Sequence, residues 1–543
     1  MSIEKDLRIR LVLRIGVTGH RRINNEKLIQ IKIKKVLIEI IDKLIYTPYE
    51  LVVLSPLAEG ADRIVAREIM NLENRDRDGQ SSLEAILPLP VDEYIKDFGT
   101  LESREEFRSF LDSAESIGVL PEAESREASY ENVGRYVVEK SDILMAIWNG
   151  KRAAGRGGTS DIINYALDLN RYIVWIDSES GDIIKNYNQY YDNKRPPSVD
   201  PLMKSIGCLD SYNEEHLNKK CFKEDLDSRY EKLAKKAKDA NFPKEALDVL
   251  FENQFPYYLR ATLLARRYQR KYIWSGVLVY LLALSSVATV TLNVVFSPPN
   301  EPLWWWAEFG QIIFILFLLS FLKIKDWHRK WMDYRVIAER LRASIFLSIV
   351  GLECKPSVSL PFNPSSYSSK EWTEIAFEYI TSLLPCLKFE IPLDTMKKFL
   401  LSSWVDDQIS FYWRARNRNI WKYEIGERIC GFFFLLTLAI AAMHAVRFGE
   451  PWLPVYIYNM TKAVGIISPA AGASVAGIIV YREYLLNAER YNHMERNLRE
   501  ARKGIERARD MPMMIENLEL AKDLMLGEHQ DWYVVTRVEK PKI

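Results

Sequence analysis

Cysteine is scarce and unpatterned: five residues (Cys208, Cys221, Cys354, Cys386 and Cys430), odd in number, with no C-x-x-C pair. That distribution argues against a disulfide framework or a zinc site and for a reducing compartment. The six histidines are isolated, and no H-x-x-x-H pair offers a metal site, so neither a metal nor a cofactor is expected. An excess of one charge is missing as well, because 74 basic residues meet 73 acidic ones for a net charge of +1. A nucleic-acid polymer is therefore not an expected partner, and any basic patch must be local. The opening MSIEKDLRIR is charged from the start and has no apolar core of signal-peptide length. Residues 1–270 are accordingly expected in the cytosol.

Long uncharged runs are absent from the first half and frequent in the second. Residues 272–296 (YIWSGVLVYLLALSSVATVTLNVVF) carry no charge and exceed the roughly 20 apolar residues that a span needs. Residues 303–322 form a second candidate, with Trp304, Trp305 and Trp306 where an aromatic belt would sit. Residues 429–446 and 463–481 are a third and a fourth. The fourth is rich in Gly and Ala and contains Pro469, which suits close burial against other helices better than a lipid-facing role. Arg266, Arg267, Arg270 and Lys271 precede the first span, and Lys323, Lys325, Arg329 and Lys330 follow the second. The intervening SPPNE has neither Lys nor Arg, so both ends of this hairpin are expected on the cytosolic side. Arg414, Arg416, Arg418 and Lys422 before the third span and Arg482 after the fourth repeat the bias, weakened by Arg447 and Lys462 in the outer link. The expected protein is multi-pass in the inner (cytoplasmic) membrane, with both termini in the cytosol.

The two hairpins look like one unit used twice. Ala338-Glu339-Arg340 and Ala488-Glu489-Arg490 lie 150 residues apart, and the same offset superposes the first and third spans. The segments after the second and fourth spans carry 3-4 apolar spacing: Trp331, Tyr334, Ala338, Leu341 and Ile345, then Tyr481, Tyr484, Ala488, Tyr491, Met494, Leu498, Ala501 and Ile505. Such a seam packs against another helix, in this chain or in a neighbour.

The first half alternates strands and helices. Strands are predicted at 11–16, 49–54, 83–89, 142–148 and 172–176, separated by amphipathic helices. The pattern predicts an α/β doubly wound parallel sheet, followed by all-α membrane hairpins. Ligands of such sheets bind beyond the carboxyl ends of the strands. Gly16, Thr18 and Gly19 leave the first strand's exit without bulk, with His20 and Arg21 able to meet phosphate. Glu59, Gly60 and Asp62 follow the second strand, the two carboxylates suited to ribose hydroxyls. Gly155, Gly157, Gly158, Thr159 and Asp161 follow the fourth, where bare N–H groups at a helix start form an anion cradle.

At these residues the chain resembles the SLOG superfamily, the Rossmann-like group that includes the LOG phosphoribohydrolases and the DNA-processing protein DprA. The matching motifs are G-V-T-G-H-R, L-A-E-G-A-D-R and G-x-G-G-T-S-D, within residues 11–180. The hairpin units resemble SLATT domains, two-span effector modules, through Y-R-V-I-A-E-R-L-R (334–342), W-V-D-D-Q-I (404–409), the Ala488-Glu489-Arg490 segment and L-G-E-H-Q-D-W (526–532). Together they imply a layout of 1–185 nucleotide-binding domain, 186–255 linker, and two-span units at 256–400 and 401–543. They also imply a receptor-effector of prokaryotic antiviral defence, in which a nucleotide-derived signal, a cyclic oligonucleotide or an NAD derivative, opens a homo-oligomeric membrane assembly. LOG enzymes carry a Glu in P-G-G-x-G-T-x-x-E where this chain has Ile162. Glycosidic hydrolysis is thus the weaker expectation, with Glu59, Asp62 or Asp161 as its acid–base candidates. A regulated transporter is weaker still, since apart from His444 the spans lack midplane ionisable groups.

Overall fold

The computed structural model describes residues 6–72, 79–151, 157–185, 187, 200–296, 301–351, 371–384, 390–449 and 452–538. The chain divides into two compact units, Met1–Asn218 with Lys355–Pro385, and Lys219–Cys354 with Cys386–Ile543.

The first unit is a doubly wound α/β domain. Its strands are β1 (Leu11–Gly19), β2 (Tyr49–Ser55), β3 (Gly79–Leu87), β4 (Ser116–Val119), β5 (Ile143–Trp148), β6 (Tyr172–Asp177) and β7 (Ile183–Lys185). They are ordered β4-β3-β2-β1-β5-β6-β7, and every pairing is parallel except β6 with β7. Every residue of β5 and most of β1 and β2 are buried, as strands covered on both faces must be. The five predicted strands are all present. The third ends at Leu87 rather than 89, because Pro88 has no N–H to continue the ladder. β4 and β7 fall outside the predicted set; both are short edge strands with little burial.

The connecting helices are α1 (Glu26–Ile41), α2 (Ala61–Met70), α3 (Val91–Tyr94), α4 (Leu101–Ser113), α5 (Arg126–Lys140) and α6 (Thr159–Asp168). With right-handed crossovers and the order reversing between β1 and β5, α1 and α2 cover one face and α5 and α6 the other. A further helix, α7 (Pro201–Glu214), closes the sheet's opposite end. Asn213 clamps the Ile9 backbone by bonds of 2.9 Å in both directions, and Asp210 accepts from Thr47 and Tyr46. The chain later returns to this unit: in the helix Trp372–Ser382 the Trp372 ring packs 5.5 Å from that of Tyr212.

The second unit is all-helical. Its elements are α8 (Lys219–Asp239), α9 (Lys244–Asn253), α10 (Phe255–Phe296), α11 (Glu301–Lys325) and α12 (Trp327–Leu347). After α13, the Trp372–Ser382 helix, come α14 (Leu393–Leu400), α15 (Asp406–Ala445), α16 (Val455–Tyr481), α17 (Tyr484–Arg507) and α18 (Met511–Val538). Among the described residues, four helices are long and apolar enough to cross a membrane, with mean hydropathies of 1.8 to 2.0 in their best stretches. At 1.5 Å per residue the 42 residues of α10 extend about 63 Å, twice a hydrocarbon core of about 30 Å. Its first turns, from Phe255 to Ala265, are largely buried among neighbouring helices; Trp274, Leu278 and Leu281 beyond them are exposed. Within one helix the environment thus changes from packed core to an apolar outer surface. The fourth span is the most buried, at 22 % of its apolar stretch against 11 %, 0 % and 6 % for the others, in keeping with its small residues.

Each half contains a long helix, a returning span and an exit helix. The returning span ends at a non-glycine residue in the left-handed region, Asp326 (φ 47°) in one half and Glu483 (φ 46°) in the other. Those breaks lie 157 residues apart, so the exit helices are related by one heptad more than the alanine motifs suggest. Trp331, Ile337, Ala338 and Leu341 in α12 correspond in burial to Ala488, Met494, Glu495 and Leu498 in α17. The apolar stripe survives a one-heptad shift, which is why the spacing alone could not expose it. Tyr481, placed on the second stripe by spacing, lies before the Glu483 break and belongs to α16. The stripes pack inside the chain, α12 on α10 and α17 on α15.

The halves also lock across the repeat. G-V-L-V-Y at 276–280 and G-I-I-V-Y at 477–481 lie antiparallel, so that a Cβ on Gly276 would fall 2.2 Å from the Tyr481 ring and one on Gly477 would fall 2.4 Å from Tyr280. Each glycine receives the other helix's tyrosine, the small-residue contact that membrane helices favour.

Candidate functional site

The strand order reverses between β1 and β5, and three loops meet beyond their carboxyl ends. His20 is the joint. Its N–H donates to the Ile147 carbonyl (3.0 Å), its carbonyl accepts from Ala61 N–H (3.0 Å), and its Nε2 accepts from Asn149 N–H (3.3 Å). The imidazole therefore links the exits of β1 and β5. Two glycines permit the approach. A Cβ on Gly19 would fall 2.5 Å from that of Ala61, and Gly60 (φ +82°) would place one 2.4–2.5 Å from the Arg21 and His20 carbonyl oxygens. Gly16 makes room elsewhere, within β1 beneath α5, where a Cβ would meet Val137 and Ser141 within 2.9 Å. Thr18 is buried in the same strand.

Asp62, in the first turn of α2, is only 6 % exposed. Its carboxylate accepts from Ala58 N–H at 3.3 Å. Burial pushes its pKa up to about 7, against the opposing pull of the Ala58 amide, Arg21 and Arg63. Tyr94 lies within electrostatic reach of both Asp62 and Arg21, and burial pushes its hydroxyl well up. Arg21 is exposed, its guanidinium 5.6 Å from the centre of the Tyr130 ring, and it forms no ion pair among the described residues. Tyr130 donates to Asp97, which also pairs with Arg126. The Arg126 Nε donates to the Tyr130 hydroxyl at 3.0 Å. The crevice thus has a buried carboxyl and a phenol below, and a free guanidinium with a Tyr–Asp–Arg network beside it.

Glu59 is turned away to a structural bond, accepting from the Ser103 hydroxyl. Arg63, 2 % exposed, holds the same segment: it donates to the Leu57 and Ser103 carbonyls and pairs with Glu106 at 2.9 Å, its guanidinium 4.4 Å from the Phe98 ring.

On the other side, Gly157 (φ +77°) brings the loop within 3.1–3.3 Å of the α5 backbone, measured from where its Cβ would lie. Gly158 caps α6, and Thr159 begins it. The Asp161 carboxylate turns back to accept from Gly157 N–H at 3.1 Å. It occupies one donor of the expected anion cradle and adds a negative charge there. Ile162 is in the core with Val137, Val138 and Ile163. Gly155, the remaining glycine of this motif, lies outside the described residues.

Sequence reasoning missed Tyr94, Asp97, Tyr130 and Arg126. The first two follow the third strand, where the strand-exit rule applied elsewhere would have found them. The other two lie on α5, and nothing local marks that helix as passing over the crevice. Comparison of the chain with protein-family models and with curated proteins returns no match.

Proposed function

We propose that this chain is a receptor-effector of a prokaryotic antiviral defence system, in which a nucleotide-derived signal bound by a SLOG-like unit opens or disrupts the membrane through SLATT-like hairpins. The observation that carries the reading is the unpaired Arg21 beside buried Asp62 at the strand-order reversal, in a chain that also has four helices fit to cross a bilayer. Arg21 is suited to phosphate, and the α6 start can supply backbone N–H groups. The membrane is the inner one, both termini are cytosolic, and the working form is a homo-oligomer. Switching an assembly from 1:99 to 99:1 requires about 5.5 kcal/mol of preferential binding to the open form, which several sites per oligomer would share.

Mass spectrometry of small molecules retained by the purified protein should find a phosphorylated nucleoside compound, and that compound should release dye from liposomes containing the protein. Gly158→Glu should abolish the release while leaving expression and insertion normal, because it sets a carboxylate where phosphate is received. A fully responsive variant would place the site elsewhere.

For the topology, a cysteine-free chain given one cysteine at Phe448 or at Glu301 should react with an impermeant maleimide in intact cells. A chain keeping only the exposed native Cys221 should react after permeabilisation alone. The opposite pattern at either introduced site would remove that hairpin from the proposed orientation.

A second reading has one observation behind it: a carboxyl poised near 7, as in Asp62, suits a general acid–base. Of the three carboxylates considered for hydrolysis, Glu59 and Asp161 accept hydrogen bonds from Ser103 and from Gly157 N–H. Release of free base from nucleotides by the parent chain, lost on Asp62→Asn, would make the protein a membrane-anchored glycosidase.

A further inference from the structure

Where α16 ends and α17 begins, three cations gather, none of them in an ion pair among the described residues. The Arg482 guanidinium lies 5.4 Å from the centre of the Tyr484 ring, and the Lys422 ammonium from α15 lies 5.9 Å from the same centre. Arg418 is one turn from Lys422 on α15, and both arginines are within electrostatic reach of it. Glu483 and Glu489, which flank Tyr484 in sequence, form no ion pair among the described residues either. Arg482 is partly enclosed, yet its Nε and Nη1 are buried with no hydrogen-bond partner. Leaving guanidinium nitrogens buried and unsatisfied is costly, and an oxyanion beside the group would offset its charge.

The corner has a counterpart in the first half. Lys271 of α10 lies 5.5 Å from the Trp327 ring, which follows the left-handed Asp326 as Tyr484 follows Glu483. There, however, a carboxylate is at hand: Arg329 reaches Asp326 at 3.8 Å and Asp333 at 3.6 Å. In the first half an arginine beside the break is paired with carboxylates, whereas in the second Arg482 and Lys422 pair with none among the described residues. The position is also telling, because Arg482 directly follows the fourth apolar helix and Lys422 is seven residues before the third uncharged run. An aromatic ring with cations at the end of a span is where headgroups lie.

We infer that Arg482, Lys422 and Arg418 form a site for the phosphate of an anionic phospholipid, with Tyr484 as its platform. The site ties the start of α17 to the bilayer surface. It rests on the membrane reading of the apolar helices and is independent of what the α/β unit binds.

Native mass spectrometry of the full chain, released from neutral detergent and titrated with phosphatidylglycerol or phosphatidylcholine, tests it. The parent should hold phosphatidylglycerol about tenfold more tightly, and Arg482→Gln and Lys422→Gln should each weaken it about fivefold, the effect of one basic group at an anionic surface. Arg418→Gln, at an exposed position that tolerates substitution, should weaken it in the same direction. Arg428→Gln, which removes a 78 % exposed cation on the same helix, should leave it unchanged. No preference between the two lipids, or equal losses on Arg428→Gln and Arg482→Gln, overturns the site. Inorganic phosphate in excess should fail to displace the lipid; displacement with a phosphate adduct in its place would make the corner a soluble-anion site and overturn the lipid assignment.

Discussion

Gly60→Ala should lower the melting temperature of the α/β unit by about 6–12 °C, given about 2–4 °C per kcal/mol for a domain of this size. Two costs combine at this position. The backbone sits at φ +82° and ψ −120°, where an L-residue is strained by about 1–3 kcal/mol. The added methyl would also lie 2.4–2.5 Å from two backbone carbonyl oxygens, those of Arg21 and His20. A backbone cannot turn aside as a side-chain tip can, so the β1 exit must move and the Ala61 to His20 bond of 3.0 Å must stretch or break. A loss of about 3 kcal/mol or more follows. Gly99→Ala is the matched control, because nothing lies within 4 Å of the new methyl. Differential scanning of the detergent-solubilised protein compares the two. If Gly60→Ala melts within a degree of Gly99→Ala, the loops do not meet as described.

That junction also marks how far the sequence could be read. The central strands were legible because burial on both faces leaves uninterrupted apolar runs such as ILMAIW in β5. β4 and β7 were not, because a short edge strand buries little and leaves no pattern; Ser116 and Ile117 are both exposed. The glycines at 19, 60 and 157 could be placed beside the crevice by the strand-exit rule, but their purposes could not. All three make room for neighbouring backbone or side chains, and Gly16, grouped with the first by spacing, makes room for α5. His20 and Glu59 are polar and well placed for a ligand by sequence. The structure also bonds the first to Asn149 and the second to Ser103, partners remote in sequence that local reasoning does not see.

The membrane half shows the same division. The spans declare themselves through length and missing charge, and their helices extend well beyond them because α10 and α15 start in packed regions with ordinary polar patterning. The pairing of Gly276 with Tyr481 and of Gly477 with Tyr280 rests on a five-residue motif present twice. Its partnership runs between the first span of one half and the second of the other, a choice that no repeat alignment contains.

Asp62→Asn should remove a pH dependence of stability that the parent shows between about pH 4 and pH 7. The folded Asp62 has its pKa raised from 3.8 to about 7, chiefly by burial, so the fold prefers the protonated carboxyl. This contribution is fully present below the unfolded value near 4. It drains away as the pH rises, and above about 7 the buried carboxylate is charged. The difference between the two limits is about 4 kcal/mol at most, at 1.36 kcal/mol per pH unit. Asparagine keeps the shape and can accept from Ala58 N–H, as the carboxylate does at 3.3 Å, but it does not ionise. The variant should therefore match the parent near pH 4 and melt higher at pH 8, with the gap opening through pH 5–7. Taking the difference between the two proteins cancels the other titrating groups they share. The same carboxyl would then bear on the proposed ligand, because below about pH 7 it can donate a hydrogen bond and above it only accept. A nucleotide phosphate beside Arg21 would meet an added negative charge once Asp62 ionises, so its affinity should fall with rising pH in the parent and stay level in the variant. Parallel melting curves for the two proteins from pH 4 to pH 8 would mean that Asp62 is solvated, and the acid–base reading of the crevice would go with it.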